Sequence, residues 1–153
     1  MNKKKQSSDN KEEKYQYFDV TADIGFYSFG KTLEESFANS GFAMFNLITD
    51  TKKVKASTIK KIVVKSEDLV LLLYNYLEEL LFLHEVDFIL FSNFEIKNIN
   101  KKENGYELIA EVGGEQINWD IHERKSEIKA ITLHQMEVKK DKGKYVLKVI
   151  LDL

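Results

Sequence analysis

Asp23 lies in Thr21-Ala22-Asp23-Ile24-Gly25, between two short runs of strand-forming residues, 15–20 and 26–29. A carboxylate at a junction between strands either shapes the turn or binds something. Two more hard oxygen donors stand at the far end of the sequence: Asp152 and, where Leu153 ends the chain, the α-carboxylate of Leu153. If the first strand lies beside the last, three carboxylates meet. That donor set suits calcium or magnesium and not zinc. Acids at turns and chain ends are also common with no ligand at all, and spacing alone does not separate the two readings.

Three histidines are the other groups able to ligate or move protons. They do not show ligand spacing. His84 falls at the end of a predicted helix, where a positive ring suits the dipole. His122 lies in a polar loop over 120–127, with a structural role as well supported as a functional one. His134 lies in a strand expected to pair with the last one. With Asp141-Lys142-Gly143 as a three-residue hairpin loop, Lys140 pairs with Lys144. The ladder then sets His134 opposite Ile150 and Thr132 opposite Asp152, all four on one face. A register slip of one residue undoes this.

The chain has no cysteine, which excludes thiolate catalysis, zinc fingers, iron–sulfur clusters and disulfides, and fits a reducing compartment. Phosphate-binding Gly-x-x-x-x-Gly-Lys loops, dinucleotide fingerprints and Gly-x-Ser-x-Gly elbows are absent. The length of 153 residues suits one domain, and a 31% charged, 43% hydrophobic composition is that of a soluble globular one. The formal net charge of -2 argues against a dedicated nucleic-acid binder, so the lysines clustered at 3–5, 52–55 and 60–65 read as solvated surface. The apolar run 69–83 contains Asn75, Glu78 and Glu79 and is shorter than the roughly 20 residues a membrane span needs. The start, Met-Asn-Lys-Lys-Lys, has no apolar signal core. Residues 1–14 read as a disordered polar tail, and the cytoplasm is the expected compartment.

The elements that must position these groups follow in order. Strands at 15–20 and 26–29 flank the Asp23 junction, where Gly25 suits a bend or bulge. Thr32-Leu33-Glu34-Glu35 is a capping box, and a first helix runs from it to about Ile48. A β-rich stretch at 58–65 makes a third strand. Ser66-Glu67-Asp68 starts a second helix with a hydroxyl cap and first-turn acids. Its leucines recur on one stripe and also spread off it, so the helix should be covered on two sides. From residue 88 the pattern turns to strands: 88–91 and 94–99, a hairpin at Asn104-Gly105, an alternating strand broken at Gly113-Gly114, and a short strand or edge at 116–119. The long hairpin 128–138 and 145–151 closes the chain. The fold class is α+β, a single domain with two helices packed on mostly antiparallel sheet.

Several of these segments together resemble a known family. Thr21-Ala22-Asp23-Ile24-Gly25 followed by Gly30-Lys31-Thr32-Leu33-Glu34-Glu35-Ser36-Phe37 resembles the N-terminal signature of the archeases. Met44 to Asp50, the leucine-rich helix, Lys129-Ala130-Ile131-Thr132 to Met136-Glu137-Val138, and Ile150-Leu151-Asp152-Leu153 match further family segments in order. The resemblance spans about Tyr17 to the end. It implies an accessory factor in tRNA splicing and RNA repair rather than a free-standing enzyme. Such a factor promotes guanylylation and multiple turnover of an RtcB-type RNA ligase and reaches tRNA only through that ligase. It implies a divalent cation, calcium before magnesium or manganese, held by Asp23, Asp152 and the C-terminal Leu153. It also implies a ligase-activating role for a lysine matching Lys129, which the ladder above sets on the face opposite Asp152. The family often carries His-Thr before Ala-Asp; here that histidine position is Val20.

Two other readings are open to the sequence. One is a stand-alone metal-dependent phosphoester hydrolase, with Asp23 and Asp152 on the cation and His134 as general base. The other is a non-catalytic chaperone or interaction module in which the acids only cap turns.

Overall fold

The computed structural model describes residues 13–153. Residues 1–12, most of the expected tail, lie outside the described residues, whereas Lys14 is seated: its carbonyl accepts from Phe29 N–H at 2.9 Å and its ammonium lies 4.9 Å from the Phe42 ring. The elements are β1 (Tyr15–Val20), β2 (Asp23–Gly30), α1 (Leu33–Ile48), a 3₁₀ turn (Thr51–Lys53), β3 (Thr58–Ser66), α2 (Leu69–Asp87), β4 (Ile89–Lys102), β5 (Gly105–Gln116), β6 (Ala130–Asp141) and β7 (Lys144–Asp152). They form a four-stranded sheet in the order β1-β2-β7-β6 and a three-stranded sheet in the order β3-β5-β4, antiparallel throughout. This is the α+β arrangement expected.

Both helices lie between the sheets. α1 packs on β2 of one sheet and β4 of the other, and α2 on β6 and β3. Phe37, Met44 and Phe45 of α1, and Leu72, Leu73, Tyr76, Leu77 and Leu80 of α2, are completely buried. The two-sided cover expected of α2 is therefore present, with Phe82 and Val86 left outside it. Burying a leucine or phenylalanine side chain is worth roughly 1.5–3 kcal/mol, so this shared core holds the two sheets in place.

The caps follow the sequence with two changes. Glu35 N–H donates to Thr32 Oγ1 at 3.0 Å, but the Glu35 carboxylate reaches Lys31 N–H at 2.6 Å, one residue earlier than a standard box. α2 is capped by the Asp68 carboxylate, which accepts from Leu71 N–H at 2.9 Å, and not by a hydroxyl. The Ser66 hydroxyl donates to the Asp68 carbonyl instead.

The strands correct the sequence reading in several places. Residues 88–99 do not make two strands: β4 is one long strand with irregularities between Phe91 and Asn93 and between Ile96 and Asn98. The Gly113-Gly114 pair does not break β5. A Cβ on Gly114 would overlap the Leu90 carbonyl, so the glycine permits close approach of β4 rather than ending the strand. Gly25 lies inside β2, opposite Phe18, and a Cβ there would overlap the Phe18 ring. It is a seat for an aromatic side chain rather than a bend.

The last hairpin has a two-residue loop, Lys142-Gly143, with φ of +52° and +83°. Two consecutive positive φ values twist the turn to match its strands, so Asp141 pairs with Lys144 and Lys140 with Tyr145. Lys140 does not pair with Lys144. Further along, residues 133–136 of β6 bulge out, with Gln135 at φ +55°, and pairing resumes with Thr132 opposite Ile150 and Ala130 opposite Asp152.

Candidate functional site

Asp23 and Asp152 are direct cross-strand partners between β2 and β7. The cause is local. Thr21-Ala22 is a two-residue turn, with Ala22 at φ +64°, that sets Val20 opposite Asp23 and fixes β2 against β1. Val20, Asp23, Asp152 and Ala130 thus form one row across the four strands. Directly opposed residues hold their Cβ atoms about 4.5–5.5 Å apart. Two carboxylates at that separation repel unless something lies between them. Among the described residues neither makes an ion pair or a side-chain hydrogen bond.

The donor set fits a hard cation. Calcium–oxygen bonds of about 2.4 Å let one ion bridge two carboxylates across a strand pair. Among the described residues no group of three or more His, Cys, Asp or Glu is arranged around a common point. Two side chains, with a terminal carboxylate where Leu153 ends the chain, would leave several of the six to eight calcium positions to water or a partner. That open coordination suits a site that meets another molecule.

The other expected residues divide. Lys129 stands beside the acid row: its backbone N–H donates to the Asp152 carbonyl at 2.8 Å and the residue is exposed. The bulge in β6 brings it to this end of the sheet by shifting Ala130 opposite Asp152. His134 does not face Ile150, and Thr132 does not face Asp152. His134 sits exposed within the bulge, because a shorter hairpin loop and the extra β6 residues both moved the register. The general base of the hydrolase reading loses its place with it. Val20 stands opposite Asp23, so the row lacks a ring where the family often has histidine.

The remaining histidines are structural. His84 Nδ1 donates to the Ile89 carbonyl at 2.9 Å and its ring meets Phe45 edge-on, tying α2 to β4. His122, in the segment between β5 and β6, is only 3% exposed. Its Nδ1 accepts from Asn118 N–H at 3.0 Å, leaving Nε2 to donate to Glu115 at 2.9 Å. The Lys55 backbone N–H, at 2.9 Å, and then the His122 contact hold the Glu115 carboxyl below the usual range.

Sequence reasoning missed the ring next to the acids. Phe18 lies over Gly25, one outer-face row from Asp23, with its centroid 5.0 Å from that of Tyr27. The signal was Thr21-Ala22 read as a two-residue turn, from which the Phe18–Gly25 pairing follows by counting.

The sequence profile of the archease protein family matches residues 15–153. The protein archease of Methanothermobacter thermautotrophicus is 47% identical over 139 residues, covering 91% of this chain and 98% of that one. The protein archease of Pyrococcus abyssi is 39% identical and covers 92% and 99%. A solution structure of a Methanobacterium thermoautotrophicum protein superposes with a TM-score of 0.83 at 46% identity, covering 92% and 99%. A crystal structure of an archease from Thermotoga maritima, described as a possible chaperone, shares the fold alone, with a TM-score of 0.57 at 18% identity over 89% and 94%. With its acids paired across β2 and β7 and residues 15–153 matched, the chain belongs to the archease family.

Proposed function

We propose that this protein is a metal-binding accessory factor of an RtcB-type RNA ligase, promoting the ligase's guanylylation and repeated turnover in tRNA splicing and RNA repair. The observation that carries the reading is the Asp23–Asp152 pair, two opposed carboxylates without a cationic partner, in a chain of the archease family. Asp23, Asp152 and a terminal Leu153 carboxylate would hold a divalent cation, calcium first by the hardness of the donors. When bound, that ion supplies positive charge able to draw phosphate or carboxylate oxygens of a partner to this end of the sheet. The protein's own part is positional. β2 and β7 fix the acids in one row, and the exposed Lys129 adjoins that row through its backbone, its N–H donating to the Asp152 carbonyl. The protein acts as an activator in this reading, and the ligase performs the chemistry.

The test measures guanylylation of a purified RtcB-type ligase with and without this protein. Asp23→Ala and Asp152→Ala are each expected to lower the stimulation at least tenfold while circular dichroism stays unchanged. Lys129→Ala is expected to reduce it with cation binding intact. Full stimulation by both aspartate variants would sink the proposal. Phosphoester turnover by the protein without ligase would favour the hydrolase. Calorimetry showing neither calcium nor magnesium binding would favour the interaction module.

A further inference from the structure

The four-stranded sheet has an inner face that carries the core and an outer face that no helix of the described residues covers. Phe26, Leu147, Val149 and Leu151 point inward and are fully buried. The alternating positions therefore point outward: Phe18 of β1, Tyr27 and Phe29 of β2, Lys144 and Lys148 of β7, with the acid row at one end. None of these three rings packs against the hydrophobic core. Ile150, also on this side, is 3% exposed yet stands apart from that core. The rings therefore form an apolar layer of their own.

The lysines are interleaved with the rings. Lys148 Nζ lies 5.7 Å from the Phe18 centroid and 2.8 Å from Gln135 Oε1 of the bulge. Lys144 Nζ lies 5.0 Å from the Phe29 centroid. Gly25, Tyr27 and Phe29 occupy successive outward positions of β2, so the rings step along the strand by about 6.7 Å, a step an unstacked nucleotide spans. The β6 acids on this face are Glu137, which Lys139 pairs with at 3.7 Å, and Asp141, which stands opposite Lys144 at the hairpin end. At the far end, Lys14 and Lys144 line a concavity of about 200 Å³ with Phe29, Glu13 and Glu35.

We propose that this outer face binds single-stranded nucleic acid, its rings stacking on bases and its lysines holding phosphates. A flat sheet of rings with lysines between them matches both halves of a nucleotide, the π-face and the phosphate. A partner with only carboxylates would leave the rings unused. The acid row repels phosphate, so the strand runs from Phe18 toward the Lys142-Gly143 hairpin and leaves Asp23 and Asp152 clear. The protein therefore meets nucleic acid directly, not only through a ligase. This reading is independent of the ligase, which the assay omits.

The assay is fluorescence anisotropy of a fluorescein-labelled oligouridylate of about ten nucleotides, within the site sizes of such platforms, in EDTA. The protein is expected to bind it with an affinity that falls steeply with salt. A K144E/K148E double variant is expected to lose about tenfold or more in affinity and to show a flatter salt dependence. F18L, which keeps apolar cover over Gly25 but removes the ring, is expected to lose about fivefold with the salt slope retained. If F18L fails to melt cooperatively, Tyr27→Leu takes its place. Absence of binding, or equal binding by the K144E/K148E variant, overturns the proposal. Competition by polyglutamate as strong as by unlabelled oligouridylate also overturns it and assigns the face to an acidic protein.

Discussion

The acids of β5 on the outer face of the three-stranded sheet and the Asp23–Asp152 pair on the outer face of the four-stranded sheet are treated oppositely. On the three-stranded sheet, Glu107 lies 3.8 Å from Lys65 and 3.4 Å from Lys102, Glu111 lies 3.7 Å from Lys97, and Glu115 holds His122. Every acid of that β5 row has a partner. On the four-stranded sheet, Asp23 faces Asp152 and neither has one. Like charges placed opposite each other weaken a strand pair, whereas opposite charges support it. An acid already neutralised by its neighbours completes a surface; the unpartnered Asp23–Asp152 pair leaves room for the cation of the proposed function.

The comparison can be broken by exchanging the treatment of the two faces. The largest effect is expected from Asp152→Asn, which should abolish calcium binding by calorimetry, while Glu111→Gln leaves it within error. Equal losses in both would remove the distinction. Next in size, His122→Ala should destabilise the protein by about 2–3 kcal/mol in denaturant melts, because the buried His122 ring and its hydrogen bonds to the Asn118 N–H and the Glu115 carboxylate are lost together.

Glu115 adds a pH signature. Its folded pKa is lowered, first by the Lys55 N–H and then by His122, so its stabilisation is present above the ordinary carboxylate range. That stabilisation fades as pH falls through the lower folded value. The stability gap between wild type and Glu115→Gln should therefore be constant near neutrality and close in acid. A gap that widens in acid would contradict the assigned contacts.

The smallest effects carry opposite signs. In EDTA, Asp152→Asn should stabilise the protein by roughly 0.5 kcal/mol by relieving repulsion. Glu111→Gln should destabilise it by no more than about 0.5 kcal/mol, the scale of an exposed ion pair.

Much of the fold could be read from the sequence because its cues are local. The Thr32 cap, the leucine stripe of α2 and the alternation of β5 each act within a few residues. What escaped was register, which depends on counting across turns. A hairpin loop taken as three residues instead of two moved every β6 residue by one, and residues 133–136 then reversed the alternation of faces. His134 was assigned a role by that count and lost it by the true one. Asp23 and Asp152 were identified as partners through resemblance, whereas the pairing itself required β2 and β7 to be neighbours, a contact between the two ends of the sequence. The glycines misled for a related reason: Gly25 and Gly114 answer to atoms on adjacent strands rather than to their own segments.

β7 is the last strand of the described chain, yet it is inserted between β2 and β6. During synthesis the three-stranded sheet has all its strands once Gln116 has emerged, while the four-stranded sheet lacks its middle. At about 5–20 residues per second, Asp23 waits on the order of ten seconds for Asp152. Over that interval the facing edges of β2 and β6 are open to wrong pairing. The acid pair is therefore assembled only after every other described strand has been made, and a chain lacking β7 would present an incomplete sheet and no paired site.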